Sequence, residues 1–254
     1  MKRLKRRILG QHFLSDLRIL DEMVEYAKLS RSDVVLEVGA GRGELTKRLA
    51  EKAGKVIAVE IDPSFASDLQ DLAEAYSNVE LIMGDVLKVR PVGFNKVVAN
   101  PPYSISSKLV EWLIESRPEL MVLTLQREFA SKLVAGPGSP KYLYISVISS
   151  LAYDSKILRI IPRILFNPPP KVDSALISMR RRTEVPELRD SWKKFWKMLF
   201  TRRRQVVRKV LADMLKRGVI DESGFKVLPE DLLSKRVFQL APSELLMLAK
   251  ILNP

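Results

Sequence analysis

The sequence predicts an α/β protein, with a Rossmann-like, mostly parallel sheet followed by a small all-helical C-terminal domain. Three observations predict it. Short apolar runs rich in Val and Ile alternate with helix-period segments between residues 33 and 125. The first of those runs ends in a glycine-rich turn that opens a helix. From about Thr183 onward strand-like runs stop and helical stripes take over, so the expected domains are residues 1–182 and 183–254.

The elements follow in order. A basic arm, Lys2 to Arg7, leads into Gly10-Gln11-His12-Phe13-Leu14, and Ser15 and Asp16 can cap a helix carrying Leu17, Leu20, Met23, Val24 and Ala27. Asp33 to Val38 reads as a buried strand, Gly39-Ala40-Gly41-Arg42-Gly43 as a turn and Glu44 to Ala53 as a helix. A second strand, Lys55 to Glu60, ends in an acid 21 residues after Gly39. Asp62-Pro63 starts a helix, and the strand Val79 to Met83 leads to Gly84-Asp85. Lys96 to Ala99 is a fourth strand and Leu120 to Leu125 a fifth, with a helix from Ile105 to Ile114 between them. Gly136 to Pro140 is a flexible loop expected near the substrate mouth, and Tyr142 to Leu151 is buried with no settled period. Lys156–Ile161 and Ser174–Met179 read as an edge hairpin, joined by a stiff Pro-rich loop that presents Phe166. In the C-terminal region Trp192, Phe195, Trp196 and Leu199 form a core stripe. Val206, Val207, Val210 and Leu211 face inward on the next helix, beside Arg202–Arg204, Arg208 and Lys209.

Composition narrows the chemistry. With no cysteine and one histidine there is no disulfide, no thiolate site and no multi-His metal centre. The net charge of +13 points to a polyanion, nucleic acid ahead of a membrane surface. No apolar run approaches membrane-spanning length and the basic start lacks a signal-peptide core, so a cytoplasmic protein is expected. Nothing suggests oligomerisation, so a monomer is expected.

Three strand ends carry groups suited to a nucleoside cofactor. The glycine turn lets a ligand approach the backbone, Glu60 stands where a carboxylate accepts from ribose hydroxyls, and Asp85 can accept from an adenine amino group. The spacing GxGxG departs from the GxGxxG that holds a pyrophosphate, and acids cluster here in an otherwise basic chain. That combination suits the sulfonium cofactor S-adenosylmethionine better than a nicotinamide dinucleotide. Asn100-Pro101-Pro102-Tyr103 follows the fourth strand. On its own it reads equally as an Asn-Pro turn before a helix; with the upstream acids it reads as a grip on an aromatic amine. The Asn100 oxygen and the Pro101 carbonyl can accept from the amine, and Tyr103 and Phe166 can stack on the flipped base. The methylated aminium product is a strong acid, so no general base is needed.

These segments resemble the ribosomal RNA adenine N6,N6-dimethyltransferase family: GQHFL (10–14), EVGAGRGELT (37–46), VIAVEID (56–62), GDVLK (84–88), NPPY (100–103), LQREFA (125–130), PPPKVDSALI (168–177) and RRRQVVRKVL (202–211). The resemblance implies an S-adenosylmethionine-dependent methyltransferase fold whose cofactor site is lined by His12, Leu14, Gly39, Glu60, Asp85 and Asn100. It implies that Asn100 and Tyr103 act on the base, with Phe166 on its other face. Bacterial members read NLPY and GQNFL, so Pro102 and His12 suggest an archaeal or eukaryote-like member. Lys209 stands where many relatives have Asn, which puts the RNA contacts of that helix in question. The implied reaction is dimethylation of two adjacent adenines in the 3′-terminal hairpin of small-subunit (16S) rRNA, on the pre-30S subunit, during ribosome biogenesis. The alternatives are a large-subunit adenine methyltransferase of the macrolide-resistance type, or an assembly factor whose binding outweighs methylation.

Overall fold

The computed structural model describes residues 12–254; the basic arm at 2–7 and Gly10-Gln11 lie outside them. The strands are β1 (Phe13–Leu14), β2 (Val34–Val38), β3 (Lys55–Glu60), β4 (Val79–Met83), β5 (Lys96–Ala99), β6 (Leu120–Gln126), β7 (Tyr153–Ile161), β8 (Phe166–Asn167) and β9 (Ser174–Arg181). Seven of them form one sheet in the order β4-β3-β2-β5-β6-β9-β7, and β1 pairs separately with β8. The pairs from β4 through β6 are parallel, while β9 runs antiparallel to β6. Val35, Leu36, Val56, Ile57, Val97, Val98 and the apolar side chains of β6 are buried, as strands covered on both faces require. The chain leaves β2 toward one edge and later returns to β5 on its other side. The order therefore reverses between β2 and β5, and the crevice outside their carboxyl ends is where such sheets bind ligands.

The opposite, amino end of the sheet is tied by a closed polar network. Asp33 Oδ2 accepts from the Ser30 amide at 2.7 Å, the Ser30 hydroxyl at 3.0 Å and Lys96 Nζ at 2.9 Å. Its other oxygen accepts from Asn95 Nδ2 at 2.8 Å, and Asn95 Oδ1 takes the Val34 amide at 2.8 Å. Burial works against ionising Asp33, yet these donors, led by Asn95 and Lys96, hold its carboxyl down at about 2.

Contacts divide the chain into two units, Met1–Ala130 with Asp154–Arg181, and Ser131–Tyr153 with Arg182–Pro254. The helical unit thus takes a segment from well before residue 183. Tyr142–Leu151, whose period the sequence leaves open, contributes the helix Tyr144–Ala152, apolar on most sides and therefore buried. The 136–140 loop also belongs to this unit. The Gly138 amide donates to the Phe238 carbonyl at 2.8 Å, Arg203 Nη1 to the Pro140 carbonyl at 2.8 Å, and the Tyr142 hydroxyl to the Leu240 carbonyl at 3.1 Å. These bonds tie the loop to its own unit at Gly138 and Pro140. The stripe Trp192, Phe195, Trp196 and Leu199 is core as expected, and Trp196 Nε1 donates to the Leu245 carbonyl at 3.0 Å.

Two stripe assignments fail at helix starts. Leu17 and Val206 each precede the first helical residue and are exposed, because the helical period does not yet apply to them. The arginine run also serves the fold more than expected. Arg202 pairs with Asp213, Arg203 holds the 140–142 carbonyls and Arg208 pairs with Glu230. Of that group, Arg204 and Lys209 alone have no polar side-chain partner among the described residues.

Candidate active site

The glycine turn after β2 and the NPPY segment after β5 meet at the reversal point. Gly39 (φ 80°) sits so close to the prolines that a Cβ there would lie 3.3 Å from Pro102 Cδ and 3.7 Å from the Asn100 carbonyl. Gly41 (φ 58°) is shielded likewise, with a Cβ falling 2.8 Å from the Phe13 ring. Any side chain at either place would be strained by backbone and contact alike. The turn and the tetrapeptide form two walls of a cavity of about 1140 Å³. His12, Leu14, Gly39, Asn100 and Tyr103 all line it, together with Phe13, Glu37, Arg42, Gln126 and Lys171.

His12 orders the polar half of that cavity. Asn100 Nδ2 donates to the His12 carbonyl at 3.1 Å, which turns Asn100 Oδ1 away from that carbonyl. The oxygen is buried and has no protein partner. A buried acceptor left open costs about 1–3 kcal/mol, a cost that a ligand's N–H would offset. The His12 ring is fixed as well: Nδ1 donates to the Pro168 carbonyl at 2.8 Å, and the ring lies 5.5 Å from that of Tyr103, tilted by 32°. The Tyr103 hydroxyl hydrogen-bonds Ser174 Oγ. Burial pushes the Tyr103 phenol up to about 12 against the opposing pull of Ser174, so it stays neutral and cannot act as a base near neutral pH.

The remaining expected residues lie elsewhere. Phe166 is not presented by the Pro-rich loop as expected: β8 pairs it with Leu14, it is 1% exposed within the hydrophobic core, and it is not among the cavity's lining residues. Glu60 and Asp85 stand at the ends of β3 and β4 as expected but do not line the cavity either. Glu60 Oε2 accepts from the Gly41 amide at 2.8 Å, and Oε1 from the amides of Ile61 and Asp62 at 2.9 and 2.8 Å. It thereby fixes the shape of the glycine turn from behind. Burial raises its pKa and those three amides work the other way. Asp85 Oδ1 accepts from the Leu87 amide at 3.0 Å, capping the turn Val86–Val89.

Glu37 and Ser174 escaped sequence reasoning. Glu37 lies on β2 two residues before Gly39, is 1% exposed and lines the cavity, and its Oε2 has no partner. Burial pushes its carboxyl up to about 8; Thr46 offsets a little of this without a full hydrogen bond, and the Glu60 charge adds to it. The available signal was an acid inside an otherwise apolar strand, which is costly unless it has a use.

Residues 2–250 match the family model described as Ribosomal RNA adenine dimethylase. This chain belongs to the ribosomal RNA adenine dimethylase family. It is similar to the probable ribosomal RNA small subunit methyltransferase A of Methanosarcina mazei, 42% identical over 247 residues, covering 95% of this chain and 91% of the relative. The Methanopyrus kandleri protein of the same name is 41% identical over 253 residues, covering 96% and 91%. Among solved structures, a dimethyladenosine transferase from Plasmodium falciparum superposes with a TM-score of 0.85 at 29% identity, covering 95% of this chain and 98% of that one. The 23S rRNA methyltransferase ErmE gives 0.70 at 27% identity, covering 95% and 100%. As a dimethylase the chain is an S-adenosylmethionine-dependent rRNA adenine methyltransferase, and its sheet is that of this enzyme class.

The residues present fit the cofactor and the base. The open Asn100 oxygen, the glycines that a Cβ would block and the buried Glu37 carboxyl are what a cationic nucleoside and an amino-purine need. When bound, S-adenosylmethionine supplies an electrophilic methyl group. Among the described residues no cluster could hold a metal ion, and no helix is long and apolar enough to cross a membrane.

Proposed function

We propose that this dimethylase modifies N6 of two adjacent adenines in the 3′-terminal hairpin loop of small-subunit rRNA, acting as a cytoplasmic monomer on the immature subunit. The unpartnered Asn100 Oδ1, in a cavity that Tyr103 also lines, carries the chemical part of the reading. An aromatic amine is a weak nucleophile because its lone pair is shared with the ring. An acceptor held in place by His12 takes one N–H and returns density to nitrogen, while Tyr103 stacks on the extruded base. His12, Leu14 and Gly39 would hold the cofactor on the cavity wall, with Glu60 and Asp85 behind it on the neighbouring strand ends.

One open side-chain acceptor also rationalises two rounds of transfer. The amine keeps one N–H after the first methylation and can still be gripped; after the second it has none, and the product loses its hold. The aminium formed in each round sheds its proton to water, consistent with a neutral Tyr103. Relatives at 41–42% identity carry the small-subunit name, and the dimethyladenosine transferase superposes more closely than the 23S enzyme. The test is incubation with immature small subunits and labelled cofactor, followed by mass spectrometry of the 3′ rRNA fragment. Two neighbouring N6,N6-dimethyladenines are expected. A methylated large-subunit adenine with an untouched small subunit would overturn the assignment.

A further inference from the structure

Glu37 stands apart from every other acid of the sheet. Asp33 has four donors and Glu60 three backbone amides, whereas Glu37, 1% exposed in the cavity wall, has a buried Oε2 with no full hydrogen-bond partner. An ionised carboxylate in that state would be held at a high cost, and Glu60 on the adjacent strand repels it further. The cofactor carries a sulfonium and an ammonium against one carboxylate, so it brings a net positive charge to this wall.

We propose that Glu37 is the proton-linked counter-charge of the cavity: neutral before S-adenosylmethionine arrives, it releases its proton to solvent as the cationic cofactor binds. This rests on the reading that the cavity is the cofactor site. The proton held at Glu37 is displaced by the incoming positive charge, so the carboxylate forms only where something compensates it. Burial that keeps the empty carboxyl up at about 8 is consistent with this order of events. The other titratable side chains on the cavity wall are His12, Arg42, Glu44, Tyr103 and Lys171, with Glu60 behind.

The test is calorimetric titration of the full chain with S-adenosylmethionine at pH 7, in buffers of different ionisation enthalpy. Wild type should release most of one proton per cofactor bound, and Glu37→Gln, which leaves His12 in place, should release close to none. Wild-type affinity should rise several-fold per pH unit from 6 to 8, and the variant's should stay nearly flat. Binding without proton release, or the same release from Glu37→Gln, overturns the Glu37 assignment and leaves the cavity reading intact. Failure of wild type to bind the cofactor, or binding unaffected by Gly39→Val, overturns the cavity reading itself.

Thermal melts of the unliganded protein provide a second readout should Glu37→Gln fold poorly. A carboxyl protonated in the fold but ionised in the unfolded chain contributes stability that is complete below about 4.5 and lost as pH rises through about 8. Wild-type melting temperature should fall across that window relative to Glu37→Gln or Glu37→Leu. Parallel melting curves would count against the proposal.

Discussion

The two ends of the sheet treat polar atoms in opposite ways. At the amino end the donors and acceptors are closed on one another: Asp33 is answered by Ser30, Asn95 and Lys96, and Asn78 Nδ2 by the carbonyls of Ala50 and Ala53. At the carboxyl end the described buried atoms without partners gather: Glu37 Oε2 and Asn100 Oδ1, with Thr46 Oγ1 and Ser106 Oγ on the helices that leave the turns. Both ends belong to the same strands and share one core, so hydrophobic burial cannot explain the contrast. The amino end uses its hydrogen bonds to hold strands in register. The carboxyl end keeps some unmade, each at a cost in stability, and two of the four residues, Glu37 and Asn100, line the cavity where a ligand would offset that cost.

That comparison can be broken in three places. The largest effect is expected from Asn100→Ala, which removes the open acceptor while sparing the packing. The single-turnover methylation rate should drop by about a hundredfold to a thousandfold, with the melting temperature little changed. A loss of melting temperature as large as the loss of rate would mean that the carboxyl end is structural after all. Next comes Asp33→Ala at the amino end, where the consequences should be reversed. Lys96 and Asn95 lose their buried partner, so urea unfolding should show a loss of about 3 kcal/mol, with the turnover number of the folded enzyme unaltered.

The smallest effect is Tyr103→Phe, which keeps the stacking ring and deletes the hydroxyl bonded to Ser174. A rate decrease of about fivefold is expected from the looser ring, equivalent to one ordinary hydrogen bond. Ser174→Ala should match it, and the double variant should be no worse than either alone if the two hydroxyls act only on each other. A strictly additive double variant would separate Ser174 from the base-binding wall.

Much of this was legible in the chain alone. Strand β5 stopping before Asn100, β2 before Gly39 and β3 at Glu60 follow from apolar runs stopped by turn residues, because period and punctuation are local properties. The pairing of NPPY with the glycine turn was legible too, since parallel strands put their carboxyl ends on one side. Side-chain direction was not. Phe166 reads as presented because it precedes three prolines, but two-residue pairing with Leu14 buries its ring, and that pairing joins segments more than 150 residues apart. With a net charge of +13 the arginine run reads as a polyanion-binding surface, yet Asp213, Glu230 and the carbonyls of Pro140 and Tyr142 claim three of its members.

Sequence by itself determined the order of elements, the residue types at the strand ends and the family, because each depends on neighbours along the chain. Tertiary structure alone decided which polar atoms were left unanswered. Whether Glu37 or Glu60 finds backbone amides depends on how the glycine turn curls around one and away from the other, and on the burial that makes a missing partner expensive.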